Sequence, residues 1–126
     1  MKNKIIKTNK APEAIGYYSQ GIQTKEFVFT SGQIPINPIT GKIIINNFKK
    51  EVEQVLNNID AILIAGGSSI NKIIKITVYL TDLSLFTELN EVFKMYFKNN
   101  KPARSTVAVS SLPVNARLSI DAIGIR

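Results

Sequence analysis

A guanidinium at the start of a strand, a serine–glycine pair at a strand exit and two tyrosines beside a glycine are the features of this sequence best suited to chemistry. In Pro102-Ala103-Arg104-Ser105-Thr106, Arg104 follows a proline that ends a helical pattern and precedes a β-rich run. An arginine placed there presents a planar fork of donors that matches a carboxylate. An ordinary surface arginine paired with an acidic neighbour would look the same in sequence. Ser31-Gly32-Gln33-Ile34-Pro35 ends a second β-rich run in a bend. Gly32 lets a ligand approach the backbone closely, and Ser31 supplies a hydroxyl; a plain strand exit is the competing reading. Gly16-Tyr17-Tyr18-Ser19-Gln20 sets two aromatic rings beside a flexible residue. They could stack on a planar ligand or fill core. Phe86 belongs to an apolar helical stripe and reads as core, while Asn90, four residues on, reads as a solvated side chain.

What is missing narrows the chemistry further. The 126 residues contain no cysteine and no histidine. Disulfides, thiolate catalysis, histidine metal sites and a Ser-His-Asp triad are therefore excluded. Acid–base work falls to Asp, Glu, Lys, Tyr, backbone groups or water, which suits a substrate that is already reactive. The formal charge of +7 raises the question of nucleic acid, but only three of the sixteen basic residues are arginine. The lysines are scattered and accompany abundant Ile and Asn, as an AT-rich coding sequence would produce. The chain reads as one without a nucleic-acid partner. The basic N-terminus is followed by no apolar run, and no stretch is long enough to span a membrane. A cytoplasmic location is the expectation.

These residues must be positioned by a small set of elements. The length fits one domain, residues 1–126, with an apolar fraction of 44%. Phe48, Val52, Val55, Leu56, Ile59, Ile62 and Leu63 recur at three- and four-residue spacing, which predicts a helix capped by Asn46 or Asn47 and ended by Gly66-Gly67. A second helix should bury Leu85, Phe86, Leu89, Val92, Phe93, Tyr96 and Phe97, with Ser84 as its N-cap. Strand patterns cover Phe27–Ser31 and Ile73–Thr81. Residues 105–110 and 116–126 are expected to form a hairpin, and residues 3–7 and 17–23 a shorter pair. The fold class is α+β, with two helices on one face of a mixed sheet. Arg117, Ser119, Asp121, Ile123 and Ile125 would share the other face. That mixture of polar and apolar side chains suits a subunit interface with a wet pocket.

Taken in order and spacing, the motifs resemble those of the RidA (YjgF-like) family, whose members also carry the names endoribonuclease L-PSP and translation inhibitor. The matching stretches are Ala11-Pro12 with Ile15 to Gly21, Thr30 to Pro35 with Asn37-Pro38 and Thr40-Gly41, Val78 to Leu83, Asn90, Pro102 to Ser105 and Leu112-Pro113; the likeness spans about residues 4 to 126. It implies a chorismate-mutase-like fold with a six-stranded sheet, and a homotrimer packed around a central barrel with pockets between subunits. It also implies hydrolysis of short enamine or imine carboxylates to 2-keto acids, without metal or cofactor. Arg104 would hold the substrate carboxylate. Tyr18, Ser31, Gly32 and the backbone at Thr106 would line the pocket, with Phe86 and Asn90 near the pocket of a neighbouring subunit. One departure matters: the glutamate that helps place the attacking water in deaminating members falls at Ser119. Asp121 lies on the same strand face but is displaced. A carboxylate-binding regulatory module is the alternative function, and RNA cleavage a weaker third.

Overall fold

The computed structural model describes residues 2–126, and its centre is a six-stranded mixed sheet with two helices on one face. The strands are β1 (Lys4–Ile6), β2 (Gly21–Gln23), β3 (Phe27–Thr30), β4 (Ile73–Leu80), β5 (Ala103–Ala108) and β6 (Leu118–Ile125), in spatial order β1-β2-β3-β6-β4-β5. Helix α1 (Phe48–Ala65) joins β3 to β4, and α2 (Phe86–Tyr96) joins β4 to β5. The β1–β2 pair forms as the sequence suggests, Ile5 lying opposite Ile22.

The expected hairpin between the last two strands does not form. β5 pairs in parallel with β4, and β6 inserts antiparallel between β3 and β4. Parallel partners need a crossover, which α2 supplies. β6 in turn has a fully apolar even-numbered set: Leu118, Ile120 and Ala122 are buried. Such a strand gains most from a central slot, with helices over it and partners on both edges. β5, with Arg104 and Thr106 among its inward residues, is left at the edge.

Helix α1 is set by its caps and its stripe. Asn47, in extended conformation, accepts the Lys50 N–H at 3.1 Å. At the other end Gly67 takes φ +89°, the Ser68 N–H reaches the Leu63 carbonyl and the Gly67 N–H that of Ile64. This is the left-handed ending for which glycine carries no Cβ penalty. Val52, Val55, Leu56, Ile59, Ile62 and Leu63 are completely buried against the sheet. Helix α2 begins differently from expectation. Ser84 does not cap it: a turn of 3₁₀ helix over Leu83–Leu85 comes first, capped by Asp82, whose carboxylate accepts the Ser84 N–H at 2.9 Å, and α2 follows from Leu85 without a side-chain cap. Asp82 has the earlier position and the stronger acceptor.

Among the described residues no helix or strand covers the other face of the sheet. Ile5, Ile22, Phe29 and Ile123 lie across it in register, followed by Asp121 and Ser119 beside Thr77 and Tyr79. Phe29 is 41% exposed and Ile125 44%. No helix among the described residues is long and apolar enough to cross a membrane.

Candidate functional site

Arg104 enters β5 opposite Ile76 of β4. Ile76 is buried beneath the helices, and laterally paired residues share a face, so Arg104 also points to the helical side. Because β5 is an edge strand, the guanidinium meets α2 rather than the core. It lies over the rings of Phe86 and Phe93, 5.2 Å from each centroid, and donates to Asn90 Oδ1 at 2.8 Å. Two aromatic faces attract the cation and strip part of its water. Burial accordingly lowers its pKa from the ordinary arginine value, though an arginine remains charged in any protein setting.

Arg104 is thus not the acid-paired surface arginine that the sequence left open. Arg117 is bound by Glu51, and Arg126 donates to the carbonyls of Gly66, Thr24 and Lys25. Among the described residues no carboxylate pairs with Arg104. Its partners are neutral, which leaves its charge uncompensated and part of its donor fork free. Phe86 is likewise not core; it is 38% exposed and forms one wall of the arginine's seat. Asn90 is not merely solvated, since it fixes the guanidinium plane. Both belong to the same chain as Arg104. They line an open groove of about 800 Å³ between α2 and the segment leading into β5. Thr106, two residues on, has a buried hydroxyl without a hydrogen-bond partner. Its strand has a free outer edge, so outward-facing backbone groups of β5 are available to a ligand.

The remaining candidates gather elsewhere. β3 leaves its ladder with β6 after Phe29, the Thr30 hydroxyl takes the Ala122 N–H at 3.1 Å, and the chain rejoins at Gln33, which pairs with Ile120. Ser31 and Gly32 bulge between. The Ser31 hydroxyl donates to the Ser19 carbonyl, and the Ser31 N–H to that of Gln20 at 2.8 Å. Gly32 is small for a reason: a Cβ there would sit 3.0 Å from Ser119 Oγ. Ser31, Gly32 and Ser119 therefore form one small constellation, with Tyr18 next to the Ser19 anchor. Tyr18 is 53% exposed and Tyr17 fully exposed, so neither is core. The loop carrying them is pinned by the buried Gln20. Its amide donates to the carbonyls of Thr8, Ala11 and Pro12 and accepts the Thr8 N–H. Nothing in the local pattern marks a glutamine for that task, because its partners lie 8–12 residues away.

These two groups do not meet within one chain. Ser119 pairs with Tyr79, which pairs with Val107. Residue 119 therefore lies two strands across and three residues along from Arg104, roughly 14 Å at ordinary strand spacing and rise, and on the opposite sheet face. A side chain at 119 therefore does not reach a ligand held by Arg104 of the same molecule.

Asp121 shares the open face with Ser119, next to Thr77 and Ser105; the latter accepts from Lys75 Nζ at 3.0 Å. Burial raises the Asp121 pKa, and Lys75 only partly opposes it. The sign follows: a carboxyl whose pKa is raised by folding binds more protons in the folded state, so its ionisation costs stability as pH climbs from its unfolded value through the folded one. Asp121→Asn should raise the stability at pH 7 by a small amount, on the order of 0.5 kcal/mol given its partial exposure, and the melting midpoint with it. At pH 3 the difference should vanish. Thermal melts at the two pH values check this; a neutral-pH loss of stability would show that the charge is instead satisfied.

The model of the endoribonuclease L-PSP family matches residues 8–125. The chain belongs to the RidA/YjgF (L-PSP) family. A RutC family protein of Aquifex aeolicus is 47% identical over 123 residues, covering 96% of this chain and 98% of the relative. The mouse 2-iminobutanoate/2-iminopropanoate deaminase is 39% identical over 123 residues, covering 98% and 91%. The crystal structure of E. coli TdcF with bound serine superposes with a TM-score of 0.93 at 45% identity, covering 98% of each chain. The RidA-type fold expected from the motifs is therefore the fold of this chain, and a relative from Arabidopsis thaliana, 41% identical over 123 residues, is named Reactive Intermediate Deaminase A.

Proposed function

We propose that this protein hydrolyses short 2-imino carboxylates, or their enamine tautomers, to 2-keto acids and ammonia. The observation that carries this reading is Arg104: a cation held between two aromatic rings, oriented by a neutral amide, with no carboxylate of its own. The substrate carboxylate takes the free side of that fork. Water adds to the imine carbon, the nitrogen takes a proton and leaves as ammonia, and the carbonyl forms in its place. An imine hydrolyses unaided, so positioning and modest charge stabilisation suffice. The names of the mouse and plant relatives support the same chemistry.

The site needs a second copy of the chain. The Arg104 groove and the Ser119–Gly32 constellation lie on opposite faces, and one sheet face carries exposed apolar side chains. Packing that face between copies in a homotrimer brings one chain's arginine to another's Tyr18, Ser31, Gly32 and Ser119. Light scattering should give about three times the 14.0 kDa chain mass. The function is tested by coupling the protein to a threonine or serine dehydratase and following keto-acid release. Release should accelerate with added protein, whereas RNA incubated with it should stay intact. A monomer at micromolar concentration would end the shared-site model.

Ser119 favours a second reading, a keto-acid binder with slow turnover, since a hydroxyl there cannot carry the charge of a water-placing carboxylate. Ser119→Glu should raise keto-acid release per site by about tenfold, less than the usual ~10²–10⁴-fold of general-base catalysis because the imine is labile. If the assembled variant gains nothing while Asp121→Asn abolishes wild-type turnover, Asp121 already serves.

A further inference from the structure

The Arg104 groove holds more positive charge than a monocarboxylate requires. Besides Arg104 it is lined by Lys94 and Lys101, with Thr87 and Asn90 as neutral polar groups. Its one acidic residue, Glu91, is tied to Lys49 outside the groove. Neither Lys94 nor Lys101 is in an ion pair among the described residues. The positions are also spaced. Lys94 follows Asn90, the guanidinium's partner, by one helical turn, about 5.4 Å along α2. Lys101 precedes Arg104 by three residues of extended chain, at most about 10 Å. A ligand whose first carboxylate sits on Arg104 therefore has a second cationic region within one small-molecule length, along an aromatic floor of Phe93 and Phe97.

We infer that the groove selects dianions, and that the substrates of this protein include 2-imino dicarboxylates. This rests on the reading of Arg104 as the carboxylate anchor. The distal carboxylate lies between the Lys94 and Lys101 ammonium groups and takes no part in the reaction. The C=N bond is hydrolysed as before, water supplying the oxygen and ammonia leaving. Two flexible lysines cost side-chain entropy to engage, so their effect is a preference rather than a requirement. An opposite charge at contact distance in a solvated groove gives roughly fivefold per lysine, on the order of tenfold or more for both.

The experiment is a calorimetric titration of the assembled protein with 2-oxobutanoate and with 2-oxoglutarate, at low salt and at high salt. The expected result is at least tenfold tighter binding of 2-oxoglutarate at low salt, with the ratio falling as the lysines are screened. In the Lys94→Gln/Lys101→Gln variant the ratio should collapse toward one. A Lys25→Gln/Lys42→Gln variant, which removes equal charge away from the groove, should keep it. Equal affinities in the wild type, or a dianion preference that survives the groove variant, overturn the inference. If Arg104→Ala still loses 2-oxobutanoate in that case, the anchor reading stands and only the dianion preference falls. If neither keto acid binds the wild type, both fall together.

Discussion

Arg104→Ala is expected to weaken 2-oxobutanoate binding by at least about 100-fold while leaving the fold and the assembly in place. Hydrogen bonds to a charged partner are worth about 1.5–3 kcal/mol each, and a fork makes two, so the loss corresponds to two or more decades in affinity. The fold should tolerate the change because the side chain gives the folded state little. It makes one hydrogen bond to Asn90 and two cation–π contacts on an edge strand beside an open groove, where water takes over part of what the side chain supplied. Phe86 and Phe93 remain to close partly over the gap. Arg104→Lys separates charge from geometry, since an ammonium keeps the charge but cannot offer two parallel donors; it should fall between wild type and alanine. Calorimetry on protein shown to be folded and assembled checks all three. Undiminished affinity in the alanine variant would remove the anchor from Arg104 and with it the proposed chemistry.

The largest effect on stability should come from Glu51→Ala. Glu51 is 2% exposed in the first turn of α1, where a carboxylate also meets the positive end of the helix. It takes both donors of Arg117, whose guanidinium lies 5.3 Å from the centroid of the Phe48 ring. Removing it strands a cation over an apolar surface. Breaking a buried pair from one side costs about 3–5 kcal/mol, but Arg117 is partly exposed and recovers water, so about 2–3 kcal/mol is expected. At roughly 3–5 °C per kcal/mol for a domain of this size, the melting midpoint should drop by about 6–15 °C at fixed protein concentration. Glu51→Gln, which keeps an acceptor, should lose less than half of that. A midpoint unchanged by the alanine variant would mean that Arg117 is solvated regardless.

Much of this was legible in the chain because the signals were local. The period of Phe48 to Leu63 fixes α1 and its buried side, and Asn47 and Gly67 mark its ends with residue types whose conformations few others adopt. Arg104 was visible by its position between Pro102 and a strand. What escaped depends on partners distant in sequence. The Glu51–Arg117 pair spans 66 positions, and nothing near either residue announces the other. Residues 105–110 and 116–126 read as a hairpin because neighbouring strands usually pair. The deciding fact, that β6 is apolar enough to need the middle of the sheet, emerges only when β3 and β4 compete for it. Phe86 fits the apolar stripe of α2 equally well as core or as a wall for a cation, and only the edge position of β5 decides between them. The separation of Arg104 from Ser119 turns on register and face, which a sequence motif does not encode.

The central place of β6 has a kinetic side. Residues 27–30 and 73–80 share no direct pairing; each waits for residues 118–125 to join them. Until then the chain is a three-stranded piece and a two-stranded piece, with raw edges at Phe27–Thr30 and Ile73–Leu80. Contacts of such long sequence separation come late and slowly, since loop closure must precede the reward. Folding should therefore be a single late, all-or-none event governed by one strand, and chains cut short before Leu118 should associate through their open edges instead of folding partway.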